Sequence, residues 1–169
     1  MAELILYFSR PGNNYVNGTI KHLSVGNTEV AAKILQEITK GDLFKLDPMS
    51  PYSSDYSECI DEAKRDQQRN ARPELKAYPE NLDQYGTIYL GYPNYWGTMP
   101  MQYSPFWSTS TSAAKPLSLF APTKGAAWEE AKATSDSFVP AGLALRGGNV
   151  VNASDTLKQW VNQNNDSLK

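Results

Sequence analysis

Two stretches of this chain hold residue types that could grip a planar, phosphorylated ligand. From Leu90 to Met101 the sequence reads LGYPNYWGTMPM, where Pro93, Asn94, Tyr95, Trp96 and Gly97 set large ring faces on a proline-restricted backbone. Rings held this way can stack on a flat ligand without first ordering a floppy side chain. The same rings could instead cap the end of a hydrophobic core, and the loop alone does not choose between the two readings. The second stretch pairs Ser9, directly after an apolar run, with Gly26, Asn27 and Thr28 at the start of a helical pattern. Ser9 offers a hydroxyl, Gly26 a close backbone approach, and Asn27 and Thr28 side-chain donors beside the free N–H groups of a helix start, a set that suits a phosphate. Read alone, Gly-Asn-Thr is also an ordinary helix cap.

Other chemistry finds little support. There is no GxxxxGK[ST] and no GxGxxG, so the phosphate loops of P-loop ATPases and of dinucleotide-binding Rossmann domains are missing. His22, the only histidine, lies away from every strand end and is not assigned acid–base duty. Cys59, the only cysteine, cannot form an intramolecular disulfide, has no companions for a metal site, and reads as a small, half-buried apolar group. No Ser-His-Asp set or motif-placed carboxylate pair emerges, so no catalytic residue is named and a bound group would have to supply any chemistry.

The elements that must position these residues alternate. Glu3 to Phe8 is a continuous apolar run, as expected of a strand covered on both faces. Residues 13–24 read as an inserted surface loop, unusually long for a strand-to-helix connection. Val30, Ala31, Ile34, Leu35 and Ile38 then form a helical stripe, with Asn27 or Thr28 as N-cap and Gly41 as the stop. Asp42 to Asp47 is a second strand, less apolar and suited to an edge; Asp55 to Asn70 is a charged helix; Thr87 to Leu90 is a third strand that delivers the aromatic loop. Residues 102–114 show no clear pattern. Leu117 to Ala121 is a fourth strand, followed by Thr123, Lys124 and Gly125 and a helical piece from about Ala126. Phe138 to Leu145 is a fifth strand, and the last helix starts at Asn152 or Ser154 and buries Leu157, Trp160 and Val161. Strands alternating with helices in one domain of 169 residues predict an α/β fold, a three-layer αβα sandwich around a five-stranded parallel sheet. In such folds ligands sit beyond the carboxyl ends of the strands, where strand order reverses.

A net charge of −2, from 16 basic and 18 acidic residues without long runs of one sign, gives no footprint for nucleic acid or an anionic membrane. No signal peptide or membrane span is legible, which leads to the expectation of a cytoplasmic protein.

Taken together, LILYFSRPGNNYVNG, VGNTEVAAKI, DLFKLDPMSPYSSDYSEC, ARPEL and LGYPNYWGTMPM resemble the flavodoxin-like FMN-binding proteins, in particular a bacterial branch of them, over nearly the whole chain. The resemblance implies strand order 2-1-3-4-5 and FMN as cofactor. Its phosphate would be held by Ser9, Asn27 and Thr28 with Gly26 allowing the approach, and its isoalloxazine bounded by Pro93, Asn94, Tyr95, Trp96 and Gly97. Relatives tend to carry Thr-His-Gly or Thr-His-Glu-Gly where this chain has Pro122-Thr123-Lys124-Gly125, so a neutral ring donor near the flavin is missing; Lys124 either brings a positive charge there or is a solvated loop lysine. The implied function is electron transfer, or reduction of a small acceptor, with a redox partner protein or a small molecule as the other party. An NAD(P)H-dependent quinone-type reductase and a binding module that has lost FMN are the alternatives. Oligomeric state is left open.

Overall fold

The structure, a computed structural model, describes residues 2–16, 18–93, 95–96, 100–102, 117–121, 141–144 and 153–167, with backbone alone for 117–121, 141–144 and 164–167. The described elements run β1 (Ala2–Tyr7), β2 (Gly12–Val16), β3 (Thr19–Leu23), α1 (Asn27–Thr39), β4 (Asp42–Lys45), α2 (Tyr56–Gln68), a 3-10 turn (Leu82–Gln84), β5 (Tyr85–Gly91), β6 (Leu117–Ala121), β7 (Ala141–Ala144) and α3 (Ser154–Ser167). Five strands form one sheet in the order β4-β1-β5-β6-β7, and every neighbouring pair is parallel. With the hairpin strands β2 and β3 left out of the count, this is the order 2-1-3-4-5. The weakly apolar β4 is an edge strand, as its composition suggested.

Side chains leave the central strands with a period of two and so feed two separate cores. Leu4 and Leu6 of β1 and Phe8 just beyond it meet Ile88 and Leu90 of β5 and Tyr92 just beyond that, together with Leu46 and Leu75. Ile5, Tyr7 and Tyr89 point the other way, onto Ala31, Ala32 and Leu35 of α1 and Leu157, Trp160 and Val161 of α3. Tyr89 and Trp160 meet edge to face at 5.6 Å. α1 and α3 thus cover one face of the sheet, while Tyr52 and Tyr95 pack against the core on the other. Leu35 is fully buried beneath the sheet; its truncation to alanine should cost ~2–5 kcal/mol, read as a shift in the urea midpoint at unchanged slope.

Three sequence expectations are corrected. Residues 13–24 are not a surface loop. They belong to an antiparallel hairpin, with Gly12 paired to Leu23 and Val16 to Thr19. In the sequence Val16 and Thr19 are separated by Asn-Gly, the dipeptide favoured in two-residue hairpins, and Gly18 takes the positive φ of 92° that such turns demand. The N-cap of α1 is Gly26 rather than Asn27 or Thr28, which are already helical. At the other end Lys40, with φ 60°, makes the left-handed stop, one residue before Gly41. Gly41 is instead needed for packing, since a Cβ there would come within 2.7 Å of the Glu3 carbonyl oxygen. No described helix is long and apolar enough to cross a membrane.

Candidate functional site

The strand order reverses at β1, which has β4 on one side and β5 on the other; in such sheets ligands lie beyond the carboxyl ends of the strands at this point, here β1 and β5. The two ends are tied together: Phe8 donates its N–H to the Gly91 carbonyl at 2.9 Å. Ser9, buried to 5% exposure, follows directly. Its Oγ accepts the Glu29 N–H, in the first turn of α1, at 3.1 Å. An oxygen acceptor therefore already sits at the positive end of that helix, where the first four N–H groups lack intrahelical partners.

Gly26 makes this closeness possible. A Cβ at that position would run into Ser9 Oγ and come within 2.6 Å of the Arg10 carbonyl oxygen. Thr28 is buried at 2% exposure in the first turn. Ser9, Gly26, Asn27 and Thr28 are thus brought together, and this cradle of backbone donors and hydroxyls fits a phosphate ester. Glu29 lies beside it. Burial raises its carboxyl pKa, but the Lys33 and Lys45 ammonium groups outweigh this and hold it below the usual range. Its pairing therefore supports the fold above the unfolded carboxylate pKa and is lost as pH falls through the lowered folded value.

The aromatic loop departs from the simplest expectation. Tyr95 does not present a free ring: it packs edge to face on Phe8 at 6.0 Å and stacks on Tyr52 at 5.7 Å with 28° between planes. Its hydroxyl lies 3.6 Å from the thiol of Cys59. Burial, followed by the neighbouring thiol, pushes its phenol well above the ordinary value, so it stays protonated. Trp96 differs: it is 47% exposed, adopts φ 49°, and is anchored by its indole N–H, which donates to the Ile60 carbonyl of α2 at 3.0 Å. Lys64 covers the ring at 4.9 Å from its centroid. Pro93 is half-buried at the strand end. Asn94, Gly97, Thr123, Lys124 and Gly125, and the expected helical piece from Ala126, lie outside the described residues, as does nearly all of 102–114.

Supporting residues that the sequence does not advertise hold the loops around the crevice. Arg10 donates to the carbonyls of Ser53 at 2.9 Å, Asn13 at 2.6 Å and Asp55 at 3.1 Å, which binds the hairpin, the loop after β4 and the cap of α2 into one unit. Asp66, buried on α2, accepts the Tyr52 hydroxyl at 2.7 Å and is also held by Arg69. Cys59 is fully buried rather than half-buried, and burial raises its thiol pKa, so it is a packing group. His22 stands on the hairpin, exposed, with Nδ1 3.3 Å from Asn13 Oδ1. A run such as YFSRPG flags Arg10 as present, but its partners 43 and 45 residues away are visible only after folding.

A parallel α/β sheet with a helix start packed against the strand end at its switch point is the architecture of nucleotide-binding α/β folds. The family model described as Flavodoxin matches residues 19–164, and the chain belongs to that family. It is similar to a solved structure from Bacteroides uniformis assigned as a flavoprotein, at 24% identity, TM-score 0.70, and coverage of 95% of this chain and 97% of the other. A second such protein, from Bacteroides eggerthii, matches at 23% identity and TM-score 0.73, covering 96% of each chain. A flavoprotein from Lactobacillus acidophilus solved in complex with FMN matches at 18% identity and TM-score 0.66, over 95% and 98%. No curated protein sequence matches this one.

Proposed function

We propose that this protein binds FMN at the β1/β5 crevice and uses it to move electrons between a reduced donor and either a redox partner protein or a small-molecule acceptor. The observation that carries the reading is the meeting of Ser9 with Gly26 and the first-turn N–H of Glu29 at the start of α1, in a space that a single Cβ would close. Family membership and the FMN held by the Lactobacillus acidophilus relative support it. FMN, when bound, supplies the electron-accepting ring. The chain's share is to grip the phosphate with Ser9, Asn27 and Thr28, to bound the ring with Pro93 to Gly97, and to exclude water from one side. Because Tyr95 already has Phe8 and Tyr52 as ring neighbours, Trp96 is the ring offered to the flavin, while Tyr95 forms the wall behind it. No carboxylate–histidine pair converges here among the described residues, so the protein's own groups serve to bind and tune.

Titration of cofactor-free protein with FMN should give saturable quenching of flavin fluorescence; folded protein without saturation would return the cradle to the role of an ordinary helix start. Replacing Asn27 and Thr28 together by alanine should weaken FMN by at least ~10-fold more than riboflavin, since only FMN brings a phosphate, at about 1.4 kcal/mol per tenfold. Equal losses for the two ligands would show that the phosphate lies elsewhere.

Trp96→Ala should weaken oxidised FMN by roughly 10-fold, from about 1.5 kcal/mol of ring contact. It should also raise the midpoint potential, because a packed ring face disfavours the electron-rich reduced flavin and keeps out water that would stabilise its charge. Equilibrium dye titration reads the potential; an unchanged potential and affinity would make Trp96 a cap on α2.

A further inference from the structure

A cleft of about 410 Å³ opens on the other flank of β1, between the hairpin and the loop that follows β4. Its size falls within the range of small-molecule pockets, about 300–1,000 Å³. None of its lining residues comes from the described part of the 91–96 loop, which sets it on the β4 side of β1, away from the loop proposed to bound the flavin, although it shares Ser9 with the proposed phosphate site. One wall is Leu23 of the inserted hairpin; the other is made by Pro48, Pro51 and Tyr52. The two prolines restrict their backbone, and Tyr52 is held by Asp66, so this wall is preformed.

The charge on the rim is unequal. Asp47 is matched by Lys76 at 2.8 Å. Glu29 is shared between Lys33 at 2.8 Å and Lys45 at 3.4 Å, so one carboxylate serves two ammonium groups and the cleft-lining Lys45 has the looser share. The oxygens that Arg10 contacts are three backbone carbonyls and the Asn14 amide, none of them a carboxylate. An apolar slot with preformed walls and surplus positive charge at its edge selects a flat, apolar body with one anionic group.

We propose that this cleft is a second binding site, separate from the FMN crevice, for a small aromatic anion, with the ring between Leu23 and Pro51 and the anionic group toward Lys45. The inserted hairpin then has a purpose: without it the slot would have one wall. The test uses FMN-saturated protein and isothermal titration with 2-naphthoate and its neutral counterpart 2-naphthamide. The expected result is saturable binding of 2-naphthoate, at least fivefold tighter than the amide. Leu23→Trp, which fills the slot, should weaken 2-naphthoate at least tenfold while leaving FMN affinity unchanged, and Lys45→Met should bring the two ligands to equal affinity. Absence of saturable binding, equal affinity for the two ligands in the unaltered protein, or insensitivity to both substitutions would overturn the proposal. So would tighter 2-naphthoate binding to FMN-free protein by tenfold or more, since the cleft would then belong to the FMN site. The titration can also be run on protein that binds no FMN, so failure of the cofactor reading and failure of this one are separable.

Discussion

Gly26→Ala is expected to abolish measurable FMN binding and to lower stability by ~1–3 kcal/mol, the cost of forcing extra volume into a packed site. The added carbon has nowhere to go. It would strike Ser9 Oγ, and Arg10's carbonyl oxygen stands 2.6 Å away. Relief requires either Ser9 to turn out of the cradle or the start of α1 to move away from β1, and both carry donors away from the phosphate position. The φ of −66° at Gly26 is open to alanine, so the loss is one of space and not of backbone freedom. Fluorescence titration with FMN and urea unfolding measure the two effects. A variant that is destabilised yet binds FMN normally would show that the approach of Ser9 to the helix serves folding alone. Ser9→Ala provides the contrast: it removes the acceptor for the Glu29 N–H without adding bulk, and should weaken FMN by roughly 10-fold, one charge-assisted hydrogen bond.

Asp66→Ala should be the most damaging change on α2, costing ~2–4 kcal/mol, since it removes charged hydrogen bonds and strips a half-buried phenol of its acceptor. Its two oxygens receive the Tyr52 hydroxyl at 2.7 Å and the Arg69 guanidinium at 2.6 and 3.0 Å. The consequence should reach the crevice. Tyr52 stacks on Tyr95, and Tyr95 is part of the loop expected to bound the flavin, so releasing Tyr52 loosens that loop. FMN affinity should therefore fall by about 3- to 10-fold alongside the fall in melting temperature, of order 1 kcal/mol carried through packing. Tyr52→Phe separates the causes: it keeps the stacked ring and loses only the hydroxyl, and should cost about 1 kcal/mol with FMN affinity nearly unchanged. If Tyr52→Phe weakens FMN as much as Asp66→Ala does, the hydroxyl itself, and not the ring's position, serves the site.

Much of the scaffold was legible before folding because it rests on local periodicity. Leu4, Leu6 and Phe8 against Ile5 and Tyr7 follow the alternation of a strand covered on both faces. Leu157, Trp160 and Val161 keep the helical spacing that buries one face of α3. The proximity of Ser9 to Gly26 and Thr28 was also legible, since a strand end and a helix start joined in sequence must meet at the top of the sheet. The hairpin is not legible as strands because period-two alternation is weak in GNNYV and TIKHL; the Asn-Gly dipeptide at 17–18 is its local signal in the sequence.

What the tertiary structure alone decided is where the loop side chains go. Tyr95 and Trp96 are adjacent rings in one motif, yet Tyr95 turns inward onto Tyr52 and Phe8 while Trp96 lies half-exposed on α2. Their sequence neighbours cannot separate them, because the choice is made by groups delivered from elsewhere: Tyr52 from the loop after β4, and Cys59 and Ile60 from α2, the latter two each 36 residues away. Arg10 is the same case, its value lying in carbonyl oxygens that only the assembled fold aligns. A strand or a helix is written in the spacing of its own residues, whereas a loop takes its shape from whichever partners the sheet order brings alongside it.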